Sequence, residues 1–447
     1  MTTSKEATTA KRARRAWILW GWGEHSYPTI IQTFIFATYI TKAKLFAGPG
    51  QNDADLALWF GIAVGIAGFI VAVIAPIVGQ RSERSGRRKF WLLINSGILV
   101  LLMLASYFVL PQPGYFVFGL VLYGIGFVVQ EISYVNYYAM LKQVSTPSTM
   151  ARLSGLAWGM GYLGGIVMLL IALVGFYLPD HPWIGGTADS QNIRMMFLLS
   201  GIWMAVFTIP MALWMPEVSA DTRLPKLSVR ESYREVFRQI GVLRREAPNS
   251  LRFLIASAVY RDGLAGVFTY GAILGTAAFG FSGNQPIYFG IAASIVAGIG
   301  AVLGAFLDDR IGTRNTIVTA LVGLLIAGIG VFAFAGVGQV TYWIGGLSLC
   351  LFVGPAQASS RTFMARLAPA GREGEMFGLY QTTGEAGAYI APVLWVLALW
   401  IAKQAGVVNG TIYGVLAIVL VLAVGLALLL RVKSENSQPT AQDAVLN

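Results

Sequence analysis

The chain of 447 residues is short of charge, of cysteine and of histidine. Only 12% of its residues are charged, where a soluble domain carries roughly a quarter. Water is therefore not the solvent for most of its surface. The single cysteine, Cys350, lies inside an apolar run, which excludes an intramolecular disulfide and a cysteine-ligated metal and leaves a small packing residue. The histidines are His25 and His181, and no His/Cys/Asp cluster has metal-ligand spacing. A GxxxxGK[ST] nucleotide loop and an elbow-type nucleophile motif are both missing. No metal, no cofactor and no enzymatic chemistry are expected on these grounds.

What is present in quantity is apolar: 56% of residues are hydrophobic. Stretches of about 20 apolar residues, enough to cross ~30 Å of hydrocarbon, occur twelve times. They run from Trp17 to Ile40, Leu56 to Val78, Phe90 to Leu110, Tyr115 to Leu141, Leu153 to Leu178 and Met195 to Met215. The second set runs from Leu251 to Phe281, Pro286 to Leu307, Asn315 to Val337, Tyr342 to Leu367, Met376 to Ala402 and Thr411 to Leu430. The fold class expected is an all-α integral membrane protein of two six-helix bundles. The basic residues ahead of Trp17 resemble a signal-peptide start, yet the apolar stretch reaches Ile40 without a small-residue cleavage site, so an uncleaved first helix is expected.

Segment boundaries follow: a tail over 1–16, a first bundle over 17–215, a linker over 216–250, a second bundle over 251–432 and a tail over 433–447. In the linker, Val229, Tyr233, Val236, Phe237, Ile240 and Leu243 alternate at helical spacing with Arg230, Glu231, Arg234, Glu235 and Arg238. That pattern predicts an amphipathic helix on the membrane surface.

The net charge of +11 is spread in short clusters between the spans, so it predicts topology and no nucleic-acid partner. One side collects Lys5 to Arg15, Arg81 to Lys89, Lys142, Arg152, the linker, Arg310, Arg314, Arg366, Arg372, Arg431 and Lys433. The other side has only Lys42, Lys44, Arg194 and Lys403. Both termini and the linker are expected in the cytoplasm, with the chain multi-pass in the plasma (inner) membrane.

The two halves also repeat. Glu83-Arg84-Ser85-Gly86-Arg87 returns as Asp309-Arg310-Ile311-Gly312-Thr313-Arg314, 226 positions on, and Gly155-Leu156 with Gly161 returns as Gly378-Leu379 with Gly384, 223 positions on. A duplicated six-helix unit is the parallel repeat of transporter halves. The run Gly79-Gln80-Arg81-Ser82-Glu83-Arg84-Ser85-Gly86-Arg87-Arg88 resembles the signature loop of the major facilitator superfamily. That resemblance implies a twelve-helix transporter with a gating loop at Gly79, Glu83, Arg84, Gly86, Arg87 and Arg88, and a second copy at Asp308, Asp309 and Arg310. Trp20 to Ile40, Tyr260-Arg261-Asp262-Gly263, Gly354 to Arg361 and Gly371 to Pro392 are similar to the branch of vacuolar amino-acid effluxers linked to autophagy and their bacterial relatives. Where that branch has an acid before the tryptophan of its first helix and an Asn-Ser after it, this chain has Gly21 and Glu24-His25, which shifts the charge along the helix.

Ionisable groups inside apolar spans cost a few kcal/mol each and are functional candidates. Glu24 and His25 lie in span one, followed by Pro28. Gln130 and Glu131 lie in span four, Arg261 and Asp262 in span seven, Gln357 and Arg361 in span ten, and Glu385 in span eleven. Tyr27 and Tyr260 neighbour these charges and join the candidate substrate or coupling set. The other tyrosines, Tyr123, Tyr134, Tyr137, Tyr138, Tyr270 and Tyr380, read as helix packing. Spans one, four, seven and ten line the cavity in the fold that this chain resembles. The expected function is a secondary transporter of a small polar solute, amino-acid-like or an organic anion, coupled to protons, embedded in lipid as a monomer. An uncoupled facilitator, or a membrane enzyme or sensor on the same scaffold, are the alternatives.

Overall fold

The computed structural model describes residues 4–51, 53–146, 148–179, 181–217, 229–281, 285–368, 372–407 and 410–434. The expected tail residues 1–3 and 435–447 and the linker stretch 218–228 lie outside them. Among the described residues every regular element is a helix. The long ones, in chain order, are α1 (Ser4–Glu24), α2 (Asp53–Ser85), α3 (Arg88–Ser106), α4 (Phe116–Ala139), α5 (Met150–Ala172), α6 (Gln191–Trp214) and α7 (Val229–Glu246). They continue with α8 (Pro248–Ile273), α9 (Gln285–Ile311), α10 (Thr313–Ala333), α11 (Gln339–Leu367), α12 (Glu373–Gly387), α13 (Ile390–Gln404) and α14 (Tyr413–Leu430).

Nine helical segments among the described residues are long and apolar enough to cross a membrane. They correspond to nine of the twelve expected stretches. The first, seventh and tenth stretches are helical as well, but their polar residues hold them below that mark. The first is also broken: α1 ends at Glu24, a π-helical turn follows over Tyr27–Phe34 and a short helix over Phe36–Ile40. Pro28 sits at the start of that turn, where its missing N–H disrupts the regular ladder. Large apolar side chains such as Phe69, Leu101, Phe118, Leu213, Ile326 and Val396 are exposed, which places lipid around them.

The chain divides into two compact units, residues 1–144 with 160–226, and residues 145–159 with 227–447. In the first unit α6 packs on α1 and α3, and α4 on α2 and α3. The indole of Trp17 stacks on Tyr137 at 4.4 Å, and Trp20 donates to Ser96 Oγ at 2.9 Å, which fixes the rotation of α1. In the second unit α11 packs on α9 and α10, and α8 on α12 and α14. Arginines cap helix ends: Arg88 donates to the carbonyl of Ala139 at 3.0 Å and Arg314 to that of Leu430 at 2.9 Å. Unpaired last-turn carbonyls are the negative end of a helix, so these contacts satisfy both hydrogen bonding and the dipole.

The repeated loops share one backbone device. Gly86 after α2 has φ +62° and Gly312 after α9 has φ +83°, so each turn uses a positive φ that a side chain disfavours. The eleventh expected stretch is two helices, α12 and α13. Pro392, in the first turn of α13, cannot continue the ladder from α12.

Candidate functional site

The candidate residues gather in two places, one in each unit. In the first unit the centre is Glu24, at the last turn of α1 and 1% exposed. One carboxylate oxygen accepts from Gln130 Nε2 and, at 2.7 Å, from the Tyr134 hydroxyl. The other lies 2.9 Å from His25 Nδ1, which is also 3.0 Å from the carbonyl of Gly21. A carbonyl only accepts, so His25 carries its proton on Nδ1 and presents it to both oxygens. Three donors thus converge on one carboxyl group, which satisfies a buried polar side chain at this depth. Gln130 and Tyr134 face Glu24 together because they stand four residues apart on α4.

Tyr27 is fully buried and its hydroxyl donates to the carbonyl of Tyr123 at 3.4 Å. Glu131 is half-buried and interacts electrostatically with Tyr27 and Tyr134. Sequence spacing gave no sign that Tyr134 reaches Glu24, apart from its place one turn beyond Gln130.

In the second unit Arg261, Asp262, Gln357 and Glu385 line one cavity of about 210 Å³, together with Thr269 and Tyr270. Arg261 and Asp262 are neighbours in sequence and so find separate partners. The guanidinium donates to the Tyr380 carbonyl at 2.9 Å and to Gln381 Oε1 at 3.1 Å, and its carbon lies 4.0 Å from the centre of the Tyr380 ring. Asp262 accepts from the Ala391 N–H. That N–H belongs to the first turn of α13, where a helix start leaves donors without partners. The break between α12 and α13 therefore supplies the donor that holds Asp262. Glu385, one turn past Gln381 on α12, interacts electrostatically with Arg261.

Two candidates of this unit lie elsewhere. Tyr260 is fully buried with its hydroxyl 2.6 Å from Ser360 Oγ. Arg361 stacks over the ring of Trp158 at 4.3 Å and is not among the residues lining that cavity. Tyr380 and Gln381, read from the sequence as packing or left unremarked, are the side chains that position Arg261. Gly384 is what lets the arginine lie against α12, because a Cβ there meets Arg261 Nη1 at 2.7 Å.

The expected gating loop is partly described. Gly79 is buried in α2, Arg87 is exposed and Arg88 is buried on the end of α4. The side chains of Glu83 and Arg84 lie outside the described ones. In the second copy Asp308 is buried and accepts from Ser359 Oγ at 3.0 Å, Asp309 pairs with Arg152, and Arg310 is exposed. Among the described residues no group of three His, Cys, Asp or Glu side chains is placed to hold a metal ion.

Solved structures share this helical membrane fold. The proton:xylose symporter XylE, in a complex with 6-bromo-6-deoxy-D-glucose, superposes with TM-score 0.74 at 13% identity, covering 96% of this chain and 97% of its own. The human organic anion transporter MFSD10 gives TM-score 0.70 at 15% identity, covering 94% and 99%. The fold is that of the major facilitator superfamily.

Within it, the chain belongs to the family described as vacuole effluxer Atg22 like, whose model matches residues 9–442. A Bacillus subtilis relative, the uncharacterized MFS-type transporter YxiO, is 24% identical over 96% of this chain and 97% of its own length. Autophagy-related protein 22 of Cryptococcus neoformans is 26% identical over 66% of this chain, and the match spans only 54% of that longer protein. The chain is a multi-pass membrane transporter of the major facilitator kind.

Proposed function

We propose that the protein is a secondary active transporter of a small polar solute, amino-acid-like or an organic anion, coupled to protons and working by alternating access. In this reading it crosses the plasma (inner) membrane twelve times as a monomer, with both termini in the cytoplasm. The observation that carries the solute class is the cavity of the second unit. Arg261 is held there by Tyr380 and Gln381, while Asp262 and Glu385 share the same walls. A fixed guanidinium suits a solute carboxylate, and the two acids suit an ammonium group on the same molecule.

Proton coupling rests on Glu24. Its three donors are drawn to the negative carboxylate, and a proton arriving on the acceptor position left open on Oε2 weakens the hold on all three. Loading and unloading therefore rearranges side chains of α1 and α4 together, which is what couples a proton to a conformational cycle. Asp262 is the next candidate carrier.

The test is substrate-induced thermal stabilisation of the purified protein across amino acids, carboxylates, amines and sugars, since selective binding raises apparent stability. The expected stabiliser carries a carboxylate and loses its effect in Arg261→Gln. A sugar as best stabiliser, or an effect that survives Arg261→Gln, contradicts the reading.

A further inference from the structure

Helix α7 carries a charged stripe that the transport reading does not use. At 100° per residue, Arg230, Arg234, Arg238, Arg244 and Arg245 fall within an arc of about 120°. Tyr233, Ile240 and Leu243 occupy the arc on one flank, and Glu231, Glu235 and Glu246 the arc on the other. The apolar flank is turned to the protein, with Leu243 buried and Tyr233 and Ile240 half-buried, while all five arginines are exposed. Arg238 is tied to Glu235 at 2.7 Å. No ion pair is recorded for the other four among the described residues.

The position of this stripe names its partner. Only Ala247 separates the end of α7 from Pro248, where α8 begins, and the apolar stretch that enters the membrane starts at Leu251. Rising ~1.5 Å per residue, the chain carries Arg244 and Arg245 to within roughly 10 Å of the hydrocarbon edge, at headgroup depth. We propose that the arginine stripe of α7 is a binding site for anionic phospholipid headgroups. Guanidinium forks match phosphate oxygens in pairs, and an exposed arginine at an anionic surface is worth roughly fivefold in partition. The acidic flank, Glu231, Glu235 and Glu246, limits the site to one edge of the helix and keeps the rest of it out of the headgroup layer.

Native mass spectrometry of the full chain from micelles holding equal phosphatidylglycerol and phosphatidylcholine tests this. Wild type is expected to retain phosphatidylglycerol selectively. The variant Arg230→Gln/Arg234→Gln/Arg245→Gln is expected to lose that selectivity by at least tenfold while keeping its melting temperature. The corresponding triple lysine variant is expected to retain an intermediate preference, having charge without the fork. Equal retention of phosphatidylglycerol by wild type and the glutamine variant overturns the proposal. So does displacement of the lipid by millimolar inorganic phosphate, which makes the site one for a free anion. Neither result touches the transport reading, which stands on the cavity of the second unit.

Discussion

Replacing Glu24 with glutamine exchanges one acceptor for a donor in a cluster whose hydrogen bonds all point toward it. Placed toward α4, the new amide NH2 confronts Gln130 Nε2 and the Tyr134 hydroxyl. Placed toward His25, it confronts the Nδ1 proton that the Gly21 carbonyl holds in place. Glu24 and Gln130 are each 1% exposed, so water does not rescue the mismatch. One buried donor without an acceptor costs about 1–3 kcal/mol, or roughly 5–150-fold in a folding equilibrium.

The Tyr134 hydroxyl, and the Gln130 amide whose buried Oε1 has no partner in this structure, relieve part of this by turning to accept, which sets the outcome toward the lower end. The measurement is unfolding of Glu24→Gln, Gln130→Leu and the double variant in one detergent. Each single substitution breaks the same Glu24–Gln130 hydrogen bond, so the double variant is expected to be more stable than the sum of the singles by at least ~1 kcal/mol. Additivity within ~0.5 kcal/mol means that the two side chains do not meet, and the three-donor account of Glu24 is wrong.

Further outcomes follow from the same geometry. Gly384→Ala is expected to cost little stability, because the atom met is the mobile end of Arg261, yet to lower solute affinity about 10–100-fold by tilting the guanidinium off Tyr380 and Gln381; unchanged affinity refutes that positioning. Gly312→Ala meets no atom within 4 Å, so its cost in unfolding is the backbone strain of φ +83° with ψ 155° alone, about 1–3 kcal/mol; Gly312→Asn is expected to recover none of it, because asparagine is favoured only in the left-handed helical region, and recovery refutes that backbone. In a Cys350→Ala background, cysteines at Ser85 and Gly241 are expected to label from the cytoplasm and one at Gln112 from outside; any exchange of sides breaks the proposed topology.

How much of this was legible beforehand differs between fold and site. Hydropathy finds spans because lipid imposes one requirement on every exposed position, and nine of the expected stretches meet it in the structure without help from context. The first, seventh and tenth are weaker by that measure because they carry more polar groups. Those polar groups stand out by their cost in an apolar span, and Arg261, Asp262, Gln357 and Glu385 line one cavity. What pairs with them was not legible. Tyr134, Tyr380 and Gln381 are ordinary helix residues until the helices are placed, and the Ala391 N–H that holds Asp262 exists only because α12 and α13 part there. Arg361 shows the converse: its charge drew it into the expected set, while its stack on Trp158 is decided by a neighbour that its own span does not reveal.

The central claim is that charge at membrane depth in this chain moves a solute against its gradient. Its most direct test is uptake into proteoliposomes under an imposed pH gradient, using the solute that best stabilises the protein. Wild type is expected to concentrate that solute above equilibrium, to lose the excess when a protonophore is added, and to keep only downhill exchange as Glu24→Gln. Uptake that stops at equal concentrations with the gradient intact contradicts proton coupling and leaves an uncoupled facilitator.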